Sequence, residues 1–212
     1  VKNLVEYKDG ADFLTNQHPE TNILQGDLKA YGAEFFLKKK TGRFSGWINY
    51  TWSRAEVKAL NEKTKEMNNR GFTYPANYDR PHALNAVANF NFTKRFNISA
   101  NASYSTGLPI TFPTSLYFQD GIQVIAFSER NAYRMPDYFR TDISINFEGN
   151  LKKTKLAHGS WSVSLYNVTA RKNPYTTIFR NEEGKIKGYE ISILGTMIPS
   201  VSYNLKFGNY EN

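Results

Sequence analysis

The chain has 212 residues, rich in aromatics (14 Tyr, 15 Phe and 3 Trp) and without cysteine, which removes disulfides and thiolate metal sites. Its 27 Lys and Arg against 19 Asp and Glu leave a formal charge of +8, a balance that raises a nucleic-acid partner as the first question. No apolar run approaches the ~20 residues of a membrane helix, so a membrane crossing is open only to a closed β-barrel, whose strands satisfy each other's backbone hydrogen bonds.

Taken in order, the segments read as strands over 1–7, 28–39, 43–56, 77–93, 96–108, 137–151, 159–171 and 197–207, with 208–212 as a short tail. The chain opens directly in strand-like residues, with no signal peptide, as a processed or truncated piece would. In 43–56, Phe44, Ile48, Tyr50 and Trp52 alternate with Ser45, Asn49, Thr51 and Ser53. In 77–93, Leu84, Ala86, Ala88, Phe90 and Phe92 alternate with Asn85, Asn89 and Asn91. The pattern is clearest in 96–108, where Ile98, Ala100, Ala102 and Tyr104 face one way and Asn97, Ser99, Asn101, Ser103 and Ser105 the other. Phe139, Ile143, Ile145 and Phe147, then Trp161, Val163 and Leu165, then Val201, Tyr203, Leu205 and Phe207 continue it. A period of two is what a strand imposes on its side chains.

The links alternate strictly between long (8–27, 57–76, 109–136, 172–196) and short (40–42, 94–95, 152–158). An outer-membrane barrel has short periplasmic turns and longer extracellular loops. A soluble sandwich also alternates apolar and polar residues, but several of these runs are far longer than the ~5–6 residues usual for globular strands. Their polar face is neutral Asn and Ser rather than Lys and Glu, as suits a crowded hydrogen-bonding lumen. The expected fold is all-β, an antiparallel transmembrane β-barrel located in the outer membrane of a Gram-negative bacterium.

The charge is gathered at the short links: Lys38, Lys39, Lys40 and Arg43, then Lys94 and Arg95, then Lys152, Lys153 and Lys155. Cations on one rim suit anionic lipid head groups. A nucleic-acid groove would interleave its cations with stacking aromatics, whereas here the strand aromatics share the apolar face, so lipid rather than nucleic acid is the expected partner.

Several motifs carry a resemblance: Ala30-Tyr31-Gly32-Ala33-Glu34-Phe35, Gly46-Trp47-Ile48-Asn49-Tyr50-Thr51-Trp52-Ser53-Arg54, Tyr74-Pro75-Ala76-Asn77-Tyr78-Asp79-Arg80-Pro81-His82, Tyr104-Ser105-Thr106-Gly107, Glu129-Arg130-Asn131-Ala132-Tyr133-Arg134-Met135-Pro136, Tyr166-Asn167-Val168, Arg171-Lys172-Asn173-Pro174 and the ending Ile198 to Phe207. In this order they resemble the late barrel of TonB-dependent receptors from Bacteroidetes. The resemblance implies an importer of a scarce ligand (siderophore, haem, cobalamin, oligosaccharide or peptide) through a plugged barrel of about 22 strands, of which this chain would be about eight C-terminal ones. It further implies an N-terminal plug, the earlier strands and TonB acting through that plug as partners that this segment lacks, with room for a surface lipoprotein.

Ligand contact is expected from Tyr78, Asp79, Arg80 and His82 and from Arg130, Tyr133, Arg134, Tyr138 and Arg140, which gather Arg and Tyr donors at the long-link end. Arg grips carboxylate or phosphate bidentately and Tyr stacks on ring faces; the competing role is to latch the plug or neighbouring loops. Tyr203, Leu205 and Phe207 resemble the C-terminal barrel-assembly signal, though Gly208 to Asn212 follow. His18, His82 and His158 lack metal-ligand spacing, the Gly-rich stretches lack a P-loop context, and no nucleophile, base and acid arrangement stands out. Neither enzyme activity, metal nor cofactor is expected. Two other readings stay open: a small self-contained eight-stranded barrel with a structural or adhesive role, and a receptor-derived scaffold subunit of an outer-membrane complex.

Overall fold

The computed structural model describes residues 1–9, 19–61, 65–119, 122–149, 157–182 and 185–208. His18, the basic residues Lys152, Lys153 and Lys155, and the tail beyond Gly208 lie outside them. The described strands are β1 (Leu4–Tyr7), β2 (Ile23–Lys39), β3 (Phe44–Ala59), β4 (Tyr74–Pro75), β5 (His82–Asn91), β6 (Phe96–Ser105), β7 (Pro109–Ile110) and β8 (Pro113–Gln119). They continue with β9 (Ile122–Phe127), β10 (Tyr133–Arg134), β11 (Tyr138–Glu148), β12 (Ala157–Tyr166), β13 (Pro174–Glu182), β14 (Lys185–Ser192) and β15 (Ile198–Phe207). Only two short 3-10 turns, Pro19–Asn22 and Asn69–Gly71, interrupt this all-β antiparallel architecture among the described residues.

The main sheet runs β1-β2-β3-β5-β6-β11-β12-β15, with β4 beside β3. Its register lines up like with like across many strands. Phe44, Phe90, Ile98, Ile145, Val163 and Val201 form one continuous row, each paired with the next. One residue along, Ser45, Asn89, Ser99, Ser144, Ser164 and Ser200 form the row behind it. Since a strand sends successive side chains to opposite faces, the sheet has one apolar and one polar face. The apolar one is uncovered: Phe35 is 76% exposed and Val201 64%.

The polar face is hydrogen-bonded laterally across β6, β11 and β12, while Asn49 Oδ1 on β3 is buried without a partner among the described residues. Asn146 Nδ2 donates to Asn97 Oδ1 at 2.9 Å, Ser162 Oγ donates to Asn146 Oδ1 at 2.5 Å, and Ser164 Oγ donates to Ser144 Oγ at 3.1 Å. At the short-turn end, Thr93 Oγ1 accepts from the N–H groups of Arg95 and Phe96. Arg95 Nε donates to the Glu148 carbonyl at 2.8 Å while its guanidinium lies 5.1 Å from the Phe147 ring centroid, tying the β5–β6 turn to the end of β11.

Buried apolar residues are few and sit at the opposite end. Ala55, Val57, Tyr74 and Ala76 form a cluster backed by Leu4 and Leu28. The chain exposes 15079 Å², against about 10,000 Å² for a compact globular monomer of its mass, so the sheet is not wrapped around a core of its own.

The sheet does not close among the described residues: β1 and β15 are its two edges, as in the open segment of a larger barrel that the sequence suggests. Two features differ from the sequence reading. The run 77–93 starts as a strand only at His82, since a turn closed by the Asp79 N–H on the Ala76 carbonyl, and then Pro81, come first; likewise 159–171 stops at Tyr166, where Asn167 takes φ 52°, a left-handed conformation that Asn tolerates. The links 109–136 and 172–196 are not plain loops. They hold the hairpins β8–β9 and β13–β14 and the short pair β7–β10, built on runs such as Thr176-Thr177-Ile178-Phe179 whose β-branched and aromatic residues favour strand.

Candidate functional site

All long links leave the same end of the sheet, and the expected ligand residues divide there into separate groups. Asp79 is 1% exposed and accepts from the Ala55 N–H at 2.7 Å. Arg134 grips it twice, Nη1 donating to the Asp79 carbonyl at 2.9 Å and Nη2 to its carboxylate, while Arg54 Nη1 stands 3.6 Å from the same carboxylate oxygen. Arg134 Nη1 also donates to the Gly107 carbonyl at 3.0 Å. Arg130 is likewise committed: Nη2 donates to Glu6 Oε1 at 2.7 Å, Nη1 lies 3.7 Å from Asp9, and the guanidinium sits 5.9 Å from the Tyr74 ring centroid. Burial, the largest influence, raises the Tyr74 phenol above its ordinary pKa. Arg130 and Arg134 are thus latches that fasten one long link to β1, β4 and the turn before β5.

Tyr78 and Tyr133 stay exposed, Tyr133 against Phe112 with centroids 5.6 Å apart. His82 belongs to the apolar face, its Nδ1 2.8 Å from the Tyr50 hydroxyl and the rings stacked. Tyr78 lines one cavity together with Arg54, Asp79 and Arg80, whereas Tyr133 and His82 line neither that cavity nor the one around Arg140.

Arg80, Tyr138 and Arg140 do meet, on the wall of a cavity of ≈ 690 Å³ between the polar face and the base of the β13–β14 hairpin. Arg140 Nε donates to Asp142 Oδ2 at 3.1 Å, and its Nη1 to the hydroxyls of Tyr166 at 2.7 Å and Tyr138 at 3.3 Å. Its guanidinium centre is 4.4 Å from the Tyr166 ring centroid. Arg80 Nη1 donates to Ser105 Oγ at 3.1 Å. Tyr175, Ile193 and Leu194 supply the other wall. Asn173 fixes that wall by accepting from the Phe139 N–H and donating to the Phe139 carbonyl, both at 2.9 Å. A second cavity of ≈ 580 Å³ lies beside Glu34, Arg54 and Asp79.

Sequence reasoning passed over the buried asparagines that hold these links. Asn131 Nδ2 donates to the Pro75 carbonyl at 2.8 Å and Asn77 Oδ1 at 2.7 Å, and Asn68 Nδ2 to the Tyr7 carbonyl at 2.6 Å. Asn167, 1% exposed, donates its own N–H to Asp142 Oδ1 at 3.0 Å. The available signal was Asn beside a turn, where its side chain substitutes for backbone partners.

On edge strand β15, Tyr203, Leu205 and Phe207 share the apolar face, and Phe207 is 71% exposed. Pro199 is tolerated there because an edge leaves its missing N–H without a ladder partner. No protein-family model, no curated protein and no solved structure matches this chain.

Proposed function

We propose that this chain is the C-terminal part of the barrel of a TonB-dependent outer-membrane receptor that imports a scarce ligand. The observation that carries the reading is the continuous exposed apolar face, with a hydrogen-bonded Asn and Ser face behind it. In water such a face is an aggregation liability; against lipid it is the ordinary outer wall of a barrel, and the polar face then lines the interior. The two open edges support a barrel completed by further strands, because unpaired edges invite association and β1 and β15 do not pair with each other. On this reading a plug occupies the interior, TonB acts on that plug, lipid contacts the apolar face, and the long links form the surface on which a lipoprotein would sit. The polar cavity near the outer mouth is where ligand would first be held.

The test is the behaviour of the native protein in boiled and unboiled membranes, probed with an antibody raised against 172–196. A heat-shifting outer-membrane species several times larger than the 24.3 kDa of this chain is expected. A species of this size, or one outside the membrane fraction, overturns the proposal.

A further inference from the structure

We infer that the cavity under the β13–β14 hairpin is a binding site for a small aromatic carboxylate. Among the described residues that line it there are two guanidinium groups, Arg80 and Arg140, and no carboxylate. Asp142, on the same face, offsets part of the Arg140 charge through Nε, which leaves the site cationic overall because the partner of Arg80 is the uncharged Ser105 hydroxyl. No carboxylate among the described residues lies within ion-pair distance of Arg80, in contrast to Arg130 and Arg134, whose charges are met by Glu6 and Asp79.

The arrangement around Arg140 is built rather than incidental. Tyr138 and Tyr166 accept from Nη1, Asp142 accepts from Nε, and the Tyr166 ring packs beneath the guanidinium. The planar group is therefore held in one orientation with Nε and Nη1 spent on Asp142 and the two tyrosines, which leaves Nη2 as the donor that would meet a carboxylate in a charge-assisted hydrogen bond. Tyr175, Ile193 and Leu194 add apolar surface to the lining, where a flat ring could lie, alongside the hydrogen-bonding side chains of Asn85, Ser103, Thr106 and Asn173. The volume of ≈ 690 Å³ falls within the about 300–1,000 Å³ of small-molecule sites. A cationic end and an apolar aromatic wall in one such space define an amphipathic ring-bearing anion.

The inference rests on the receptor reading for its biological purpose, while binding is tested without transport. The full polypeptide in detergent would be titrated with naphthalene-2-carboxylate, followed by its fluorescence anisotropy, and with neutral naphthalene-2-methanol. The carboxylate should bind at least about tenfold more tightly than the alcohol. Arg80→Gln and Arg140→Gln should each abolish about that preference without weakening the alcohol. Tyr175→Ala should weaken both probes alike, and it keeps the test alive if Arg140→Gln fails to fold. Equal affinity for the two probes, no binding of the carboxylate, or an undiminished preference in Arg80→Gln overturns the inference. Those results would leave a large heat-shifting membrane species intact as evidence for import, whereas carboxylate binding by a protein outside the membrane would sink the import reading alone.

Discussion

Arg134 and Asp79, 55 residues apart in the chain, form a two-way clamp in which one guanidinium binds both the carboxylate and the backbone carbonyl of the same aspartate. Asp79 is almost wholly buried and also accepts from the Ala55 N–H on β3, so the clamp joins the link before β11 to the sheet through the turn before β5. Breaking a buried ion pair from one side costs about 3–5 kcal/mol, because the remaining charge is left uncompensated. The partial exposure of Arg134 (26%) moves the expectation to the lower end of that range. Asp79→Asn should therefore lose about 3 kcal/mol, read as a lowered unfolding midpoint and faster proteolysis between 107 and 136. Unchanged digestion of that link would remove the latch role.

Gly107 lies at the meeting point of the latch and the cavity. Its carbonyl accepts from Arg134 and its N–H donates to Asp137 at 2.9 Å. A Cβ there would stand 1.7 Å from the Met135 carbonyl oxygen, a backbone atom that no rotamer change can move. Gly107→Ala should force the two segments apart at a cost of at least about 2 kcal/mol, within the overpacking range. It should also loosen the clamp at Arg134, seen as increased amide exchange at Met135, whose N–H donates to the Leu108 carbonyl at 2.9 Å. Wild-type exchange rates in the variant would show that the close approach is unimportant.

Tyr203 lies diagonally over Gly159, so a Cβ on that glycine would meet the Tyr203 hydroxyl oxygen at 2.0 Å and Cζ at 2.7 Å. The same ring packs on Trp161 with centroids 4.7 Å apart, an aromatic contact between edge strand β15 and its neighbour. Gly159→Val should displace the ring and cost about 1–3 kcal/mol. Combining it with Tyr203→Leu should recover part of that loss, since the obstructing atoms are then gone. Additive effects in a double-mutant cycle would contradict a direct collision.

The two faces of the main sheet were legible because alternation is local, as along Asn97 to Ser105, whereas the register that lines Phe90 up with Ile98 and Ile145 is set between strands and appears only in the structure. The hairpins over 113–127 and 174–192 carried ordinary strand chemistry, but within spans whose length alone read as loop. The fate of the arginines was not legible. Arg130 meets Glu6 across 124 residues and Arg134 meets Asp79 across 55, and nothing periodic in the intervening links sets those distances. The same sequence features, Arg and Tyr close together, serve as a latch at Arg134 and line a cavity at Arg140. Only the position of a carboxylate separates the two outcomes.

The β13–β14 hairpin, whose first residues Pro174 and Tyr175 line the cavity, carries its own pH response. Glu182 accepts from Lys187 Nζ at 2.7 Å and from the Tyr189 hydroxyl at 2.5 Å. The lysine bond first, and the tyrosine bond second, hold its carboxyl below the ordinary glutamate range, and the same contact raises the Tyr189 phenol. A carboxyl with a depressed folded pKa stabilises the folded hairpin above its unfolded pKa of about 4.3, and that contribution disappears as pH falls through the folded value. Amide protection in 174–192 should therefore be flat from neutral pH to about pH 5 and decline below that. Lys187→Met should return the Glu182 titration toward its ordinary midpoint, and Glu182→Gln should flatten the acid response. If protection instead falls between pH 7 and 5, with the Glu182 carboxyl still ionised, another group controls the hairpin.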